Sequence, residues 1–370
     1  MHVLRILLSD GDFQIFLQLY VLYDYSMKRQ VYLDNLKLFL TVLVIFHHAA
    51  QPHVPGSYWP YHFSDDSMLL PGIWHFMSTN ASFFMGLFFL IAGYFVPKSY
   101  DKQGPARFAW KKLVHLGIPC VLMTALISIC FVHHFEIAHM WFLENLLFFS
   151  LLYTAFRLLF PIPSSFSKKS PSIWLLLAIA LGMGTIVQIL RHYFAQDYWV
   201  GLGHILFFEP ARYGQYVIMF VLGLFASRCD FFERMDKKTG LTCLVAGGLL
   251  AIGNYLRAGG LWDHFVATHF GYYESMMSIS ISFGLIWLFR EGLNRSNRFV
   301  TWCCAQTMWV YIVHLPLMVY LQFAFDGLLM SPIHKFFFIG TLSTVISFLV
   351  AGLITWVISL FILSSTTVTR

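Results

Sequence analysis

The feature that most constrains this chain is the length of its charge-free runs. Residues 67–97, 113–135, 299–325 and 336–369 contain no Asp, Glu, Lys or Arg. Each exceeds the ~20 apolar residues that carry a helix across the hydrocarbon core of a bilayer. Lipid offers no water to backbone N–H and C=O groups, so a spanning segment must satisfy them internally, as a helix does. Composition points the same way, with 58% hydrophobic and 11% charged residues among 370, too apolar for a water-facing surface. The expected fold class is all-α, a polytopic membrane helical bundle of about ten transmembrane helices.

The spans are expected at 36–53, 73–96, 113–132, 141–160, 172–190, 211–227, 241–257, 273–289, 299–323 and 336–362. Lys and Arg concentrate in cytoplasmic loops. With the N-terminus inside, most of the 24 cations fall on cytoplasmic segments, among them Lys98, Lys102, Arg107, Lys111, Lys112, Lys168, Lys169, Lys237 and Lys238. Only Arg191, Arg212, Arg257 and Lys335 fall outside, so both termini are expected in the cytoplasm. The net charge of +6 belongs to these loops, where it reads first as a topology signal and a contact with anionic lipid. It does not describe a nucleic-acid site, because the cations have no soluble domain to sit on. Cys120, Cys130, Cys229, Cys243, Cys303 and Cys304 fall within or beside helices in no paired spacing. They read as reduced packing residues, with no disulfide framework.

Residues 1–26 stand apart. They carry Arg5, Asp10, Asp12 and Asp24, and the apolar stretch from Phe13 to Tyr23 is too short to span. They are expected to be an upstream or disordered extension, with Met27-Lys28-Arg29 as the natural beginning and 30–363 as the transmembrane domain. A cleaved signal peptide fits poorly, because the first span carries Lys37, His47 and His48 and runs into Pro52. The outer segments 54–72 and 191–210 are rich in Trp, Tyr, His and Gly. Such aromatics chiefly anchor helices among headgroups. Their rings also stack on sugars, which makes Tyr58, Trp59, Tyr61, Tyr198 and Trp199 candidates to line a glycan site. The chain shows no internal repeat, unlike transporters built from duplicated halves.

Ionisable side chains inside a span are costly and therefore functional candidates. Lys37 opens the first span and His48 lies eleven residues further in, roughly 16 Å along a helix axis. A neutral imidazole in an apolar bundle is a competent general base near neutral pH. His47 points about 100° away from His48 on the helix, so only one of the two faces a given cavity. Lys111 and Lys112, in the basic stretch before the third span, suit the phosphates of a polyanionic co-substrate, with His115 one turn further in. Glu144 falls within the outer half of the fourth span, where it has the chemistry to orient a histidine or lysine. His314 lies in the 299–325 run, two residues before the helix-interior Pro316. The outer cluster His133, His134, Glu136 and His139 matches no zinc-ligand spacing, and no metal is expected. The chain has no G-x-S-x-G elbow, P-loop or dinucleotide fingerprint.

In their order and spacing these residues resemble the acyltransferase-3 family of bacterial integral membrane acyltransferases. Leu33-Asp34-Asn35-Leu36, then Lys37, ten residues and His48, is similar to that family's first span, with lysine in place of arginine. Phe88-Phe89-Leu90-Ile91-Ala92-Gly93-Tyr94 is similar to its F-F-L-x-S-G-Y phrase, with Ala92 for serine. Lys111, Lys112 and Pro119, then Trp141-Phe142-Leu143, then Tyr311, His314 and Pro316 complete the likeness, which covers about 30–360 and leans toward the branch that modifies periplasmic glucans.

The resemblance implies transfer of an acyl group, acetyl or succinyl, from a cytosolic acyl-CoA to a hydroxyl of an extracytoplasmic carbohydrate, at a bacterial inner or plasma membrane. It gives His48 the essential histidine's role and Lys37 that of the essential arginine, without arginine's planar two-pronged contact. The expected site is thus His48, Glu144 and His314 for chemistry, and Lys37, Lys111 and Lys112 for the acyl-CoA co-substrate, with acetyl-CoA the expected donor. Partners are the acyl-CoA donor, the glycan acceptor and the lipid bilayer. The rival classes are a transporter or flippase for a glycan or lipid-linked intermediate, and a sensory or scaffold protein.

Overall fold

Ten long helical segments account for nearly all of the structure, a computed structural model that describes residues 30–367 except 58, 130–137, 164–165, 167–169, 203–205 and 258–259. They are α1 Val31–Ala50, α2 Ile73–Gln103, α3 Pro105–Ile127, α4 Trp141–Leu159, α5 Ile173–Tyr193, α6 Pro210–Cys229, α7 Lys237–Tyr255, α8 Phe270–Gly292, α9 Arg298–Ala324 and α10 Pro332–Thr367. Each corresponds to one expected span, and the all-α membrane bundle stands. The upstream extension, Tyr58, Cys130, His133, His134, Glu136, Lys168 and Lys169 lie outside the described residues.

Local chemistry sets the helix ends. Pro105, Pro210 and Pro332 open α3, α6 and α10, at the one position where a missing N–H costs nothing. The side chains of Ser172, Asp236 and Asn297 accept the N–H groups of Leu175, Thr239 and Val300 as N-caps of α5, α7 and α9. Gly104, at φ 75°, turns the chain from α2 into α3. Within α3 a π turn covers Leu113–Gly117. Pro119 has no N–H to give the His115 carbonyl, and the wider turn absorbs the defect.

Seven of the ten, all except α6, α7 and α8, are long and apolar enough to cross a membrane on composition alone. The other three carry polar residues that the bundle buries, including Gln215 on α6 and Glu274, Ser275, Ser278 and Ser282 on α8. Gln215 Nε2 donates to the Ser82 carbonyl (2.5 Å) and to Ser278 Oγ (2.8 Å), joining α6 to α2 and α8. Such small polar contacts hold helices together where lipid removes the hydrophobic drive between them. Leu152, Trp174, Leu249, Leu353 and Trp356 point outward and exposed, as residues facing lipid tails would. Among the described residues the one departure from all-helix is an antiparallel strand pair, β1 Val200–Leu202 with β2 Leu206–Phe208, in register Val200 to Phe208.

The packing turns on α2 against α6. A Cβ added to Gly93 would collide with the Phe220 carbonyl oxygen, and one added to Gly223 with the Leu90 carbonyl oxygen. The two backbones therefore touch where both residues lack side chains. Below that crossing the Tyr94 hydroxyl donates to Glu233, whose carboxylate also accepts from Gln30 Nε2 at 2.9 Å. Overpacking a tight contact costs about 1–3 kcal/mol. Gly93→Ala is thus expected to lower the unfolding temperature of purified protein, whereas Gly248→Ala, which meets open space, leaves it unchanged; equal melting of the two would refute the close crossing.

Candidate functional site

The C-terminal halves of α1 and α9 carry the site. His48, in the last turn of α1, lies between two rings. The Trp59 indole stacks on one side at 5.1 Å and 19°, and the His314 imidazole on the other at 5.4 Å and 29°. Trp59 is held from α9, where its Nε1–H donates to Gln322 Oε1 at 2.6 Å. The 51–72 segment is pinned a second time by the Tyr61 hydroxyl, which donates to Asp326. Burial, with that bond, pushes the Tyr61 phenol above its ordinary pKa. His47 turns away, as a 100° step requires, and packs against Phe84 at 4.9 Å.

A third imidazole joins these two, and the sequence pattern did not mark it for this role. His139, in the turn that leads into α4, meets the edge of His314 at 5.1 Å. Pro316 explains its position. Proline has no N–H, so the carbonyl four residues back, that of Ile312, loses its helical donor. His139 Nε2 takes that place at 3.0 Å, and the Tyr311 hydroxyl donates to the His139 carbonyl. A carbonyl only accepts, so the ring hydrogen of His139 sits on Nε2 and Nδ1 is a bare lone pair. By the same logic His314 Nδ1, 2.6 Å from the Tyr311 carbonyl, carries the hydrogen and Nε2 is bare. His48 Nδ1, His139 Nδ1 and His314 Nε2 are buried without a hydrogen-bond partner. The interior proline of α9 is the signal that could have pointed to a recruited donor.

The other candidates lie elsewhere. Glu144, in the first turn of α4, accepts the Phe207 N–H at 2.9 Å, while Asn145 Nδ2 donates to the Phe207 carbonyl at 2.8 Å. Together they clamp the hairpin, and Glu144 makes no contact with the histidines. Lys37 sits at the opposite, basic end of α1, paired with Asp34 at 2.9 Å and with 34% of its side chain exposed. Its ammonium lies over the Phe95 ring at 5.5 Å. On α3, Lys112 lies over Phe108 at 5.4 Å and Lys111 is buried. Among the described residues no group of His, Cys, Asp or Glu has the arrangement to hold a metal ion. A cleft of 430 Å³ between α1 and α10, lined by Phe39, Phe46, Phe336 and other apolar side chains, contains none of the predicted residues.

The arrangement offers stacked imidazoles with uncommitted lone pairs at one depth of the bundle, and accessible cations at the other end of the same helix. That is equipment for moving a proton during attack of a hydroxyl, with an anion held some distance away. If Ile312 depends on His139, then His139→Phe should cost about 1–3 kcal/mol by orphaning a buried carbonyl. Adding Pro316→Ala, which restores an N–H, should recover part of the loss in denaturation of the purified protein. Strictly additive losses would show that Ile312 is satisfied in another way.

The chain belongs to the acyltransferase-3 family: the model of that family, described as an acyltransferase domain, matches residues 30–352. No curated protein and no solved structure matches the chain. This is a multi-pass membrane acyltransferase.

Proposed function

We propose that this membrane acyltransferase moves an acetyl or succinyl group from a cytosolic acyl-CoA to a hydroxyl of a carbohydrate on the outer side of the cell membrane, with His48 as the base. The observation that carries the reading is the ring stack at His48, half-buried in the last turn of α1 and separated by most of that helix from the basic end. Lys37 lies eleven residues away on the same helix, about 16 Å at the helical rise. That separation suits a donor whose phosphates stay at the cytosolic surface while its thioester reaches inward. Lys37 and Lys112, whose side chains are half-buried and reach the surface, meet the phosphates, and Lys111 adds charge from beneath.

At the reacting centre an acceptor hydroxyl attacks the thioester carbonyl as an imidazole nitrogen of His48 takes its proton. The tetrahedral intermediate then breaks its C–S bond, leaving an ester on the acceptor. The proton passes from His48 to the departing thiolate, so the products are acyl ester and free coenzyme A thiol. Trp59 and His314 hold the imidazole plane from both sides. His314 acts through that stack and through its bare Nε2, and Glu144 serves by keeping the hairpin in place.

Purified protein in nanodiscs, supplied with labelled acetyl-CoA or succinyl-CoA and a carbohydrate acceptor, tests the assignment. His48→Ala is expected to reduce transfer by at least about 100-fold, the usual scale for loss of a general base, with unchanged folding by size and thermal melting. His47→Ala should retain most activity. Lys37→Ala should raise the KM for donor several-fold with little change in kcat. An active His48→Ala variant would remove the mechanism.

A further inference from the structure

We infer that the acceptor is held on an aromatic ladder, Trp199–Trp141–Tyr216, with Arg212 as the hydrogen-bond donor beside it, forming a subsite for a sugar ring between the outer surface and the histidines. The inference rests on the acyl-transfer reading and chooses between the two outer segments as the place of acceptor recognition.

The ladder is continuous. Trp199 lies 5.4 Å from Trp141, and Trp141 stacks on Tyr216 at 5.3 Å and 28°. Its outer rung is open, with Trp199 41% exposed, and its inner rung is buried. Trp141 is two residues from His139, which touches His314 beside His48. A ring entering along the ladder thus arrives at the histidine cluster. The segment bearing Trp199 is tied to the start of α6 and to α4. Asp197 adopts φ 61°, a left-handed conformation that costs a non-glycine residue energy, and its N–H is tied to Glu209 Oε1 at 3.1 Å. A tryptophan serving only as a headgroup anchor needs no such tether.

Arg212 lies one helical turn before Tyr216, on the same face of α6. Beside it, Arg191 pairs with Glu274 at 2.5 Å and covers the Phe270 ring at 4.8 Å, its Nε left without a hydrogen-bond partner. Arg212 is held more loosely: it reaches Glu209 at 3.4 Å, and its Nε lies 3.6 Å from Glu274, beyond hydrogen-bond distance. A guanidinium has five N–H donors in a planar fork, and here Nε makes no hydrogen bond among the described residues. The carboxylates lie behind it, Glu274 at 1% exposure against 17% for Arg212. They hold the cation in place and offset its charge, so the loosely held fork suits neutral oxygen acceptors. Sugar hydroxyl and ring oxygens beside an aromatic face supply them, whereas a simple anion would have to compete with two carboxylates.

The test uses the full chain in nanodiscs with acetyl-CoA and neutral gluco-oligosaccharides of two to seven units, read as kcat and KM together with calorimetric titration of the oligosaccharides alone. Trp199→Ala is expected to raise acceptor KM about tenfold, the scale of a lost aromatic contact, with kcat and donor KM near wild type. Trp199→Phe should restore most of the affinity, and Arg212→Lys, which keeps charge but not the fork, should raise acceptor KM as well. Trp174→Ala, at the basic end, is the control. Transfer that proceeds with acceptor KM unchanged by Trp199→Ala would overturn the subsite and leave the acyl-transfer reading standing. If wild type transfers to no oligosaccharide, the carbohydrate reading fails, and the titration then decides the subsite separately. Binding that Trp199→Ala weakens would support it; no binding, or binding the variant leaves equal, would overturn it.

Discussion

The backbone contact between α2 and α6 at Gly93 and Gly223 is the constraint on which the rest of the bundle depends. It removes any side chain from the crossing and sets the two helices in one register. Along that register Gln215 reaches Ser82 and Ser278, which places α8. On the basic side the crossing sets Tyr94 against Glu233. On the other side it presents Tyr216 to Trp141. The F-F-L-x-x-G-Y phrase thus has a mechanical meaning in this chain. Its glycine allows the approach, and its tyrosine ties the approach to the end of the bundle.

The site depends on a different local rule, the missing N–H of Pro316. A helix interior normally consumes its own carbonyls, and an interior proline releases one. In a bundle surrounded by lipid that carbonyl must find another donor, and His139 supplies it from the turn before α4. The same proline-bearing stretch supplies Tyr311 and His314. One sequence phrase therefore brings α4 to α9 and fixes the tautomers of two imidazoles beside His48. Trp59 completes the stack from the loop between α1 and α2, held by Gln322 near the far end of α9.

The ten helices were legible because charge-free runs of spanning length leave a chain in lipid few alternatives, and their ends follow proline, glycine and capping residues. Boundaries shifted where local chemistry extended a helix beyond its apolar run: α2 passes through Pro97 to Gln103, and α3 starts at Pro105. The nearness of His314 to His48 was not readable from spacing, since the two lie on different spans. The roles of His139, Trp59 and Gln322 were hidden for the same reason, because each depends on contacts between residues far apart in the chain. The hairpin at 200–208 was also missed, its strands too short for an alternating pattern to register. The contact that Glu144 makes was equally hidden from spacing. Its cost inside a span drew attention to chemistry, whereas its carboxylate meets a backbone N–H of that hairpin.

In the proposed reaction, donor and acceptor come from opposite sides of the membrane and meet at His48. The most direct measurement is transfer across sealed proteoliposomes of known orientation, with labelled acyl-CoA confined to one side and acceptor to the other. Label is predicted to reach the acceptor when donor bathes the Lys37 end and acceptor bathes the Trp59 end. No label should appear in the reversed arrangement, or with His48→Ala in either. Equal labelling in both arrangements, or labelling by His48→Ala, would contradict a reacting centre at His48 reached from the two sides.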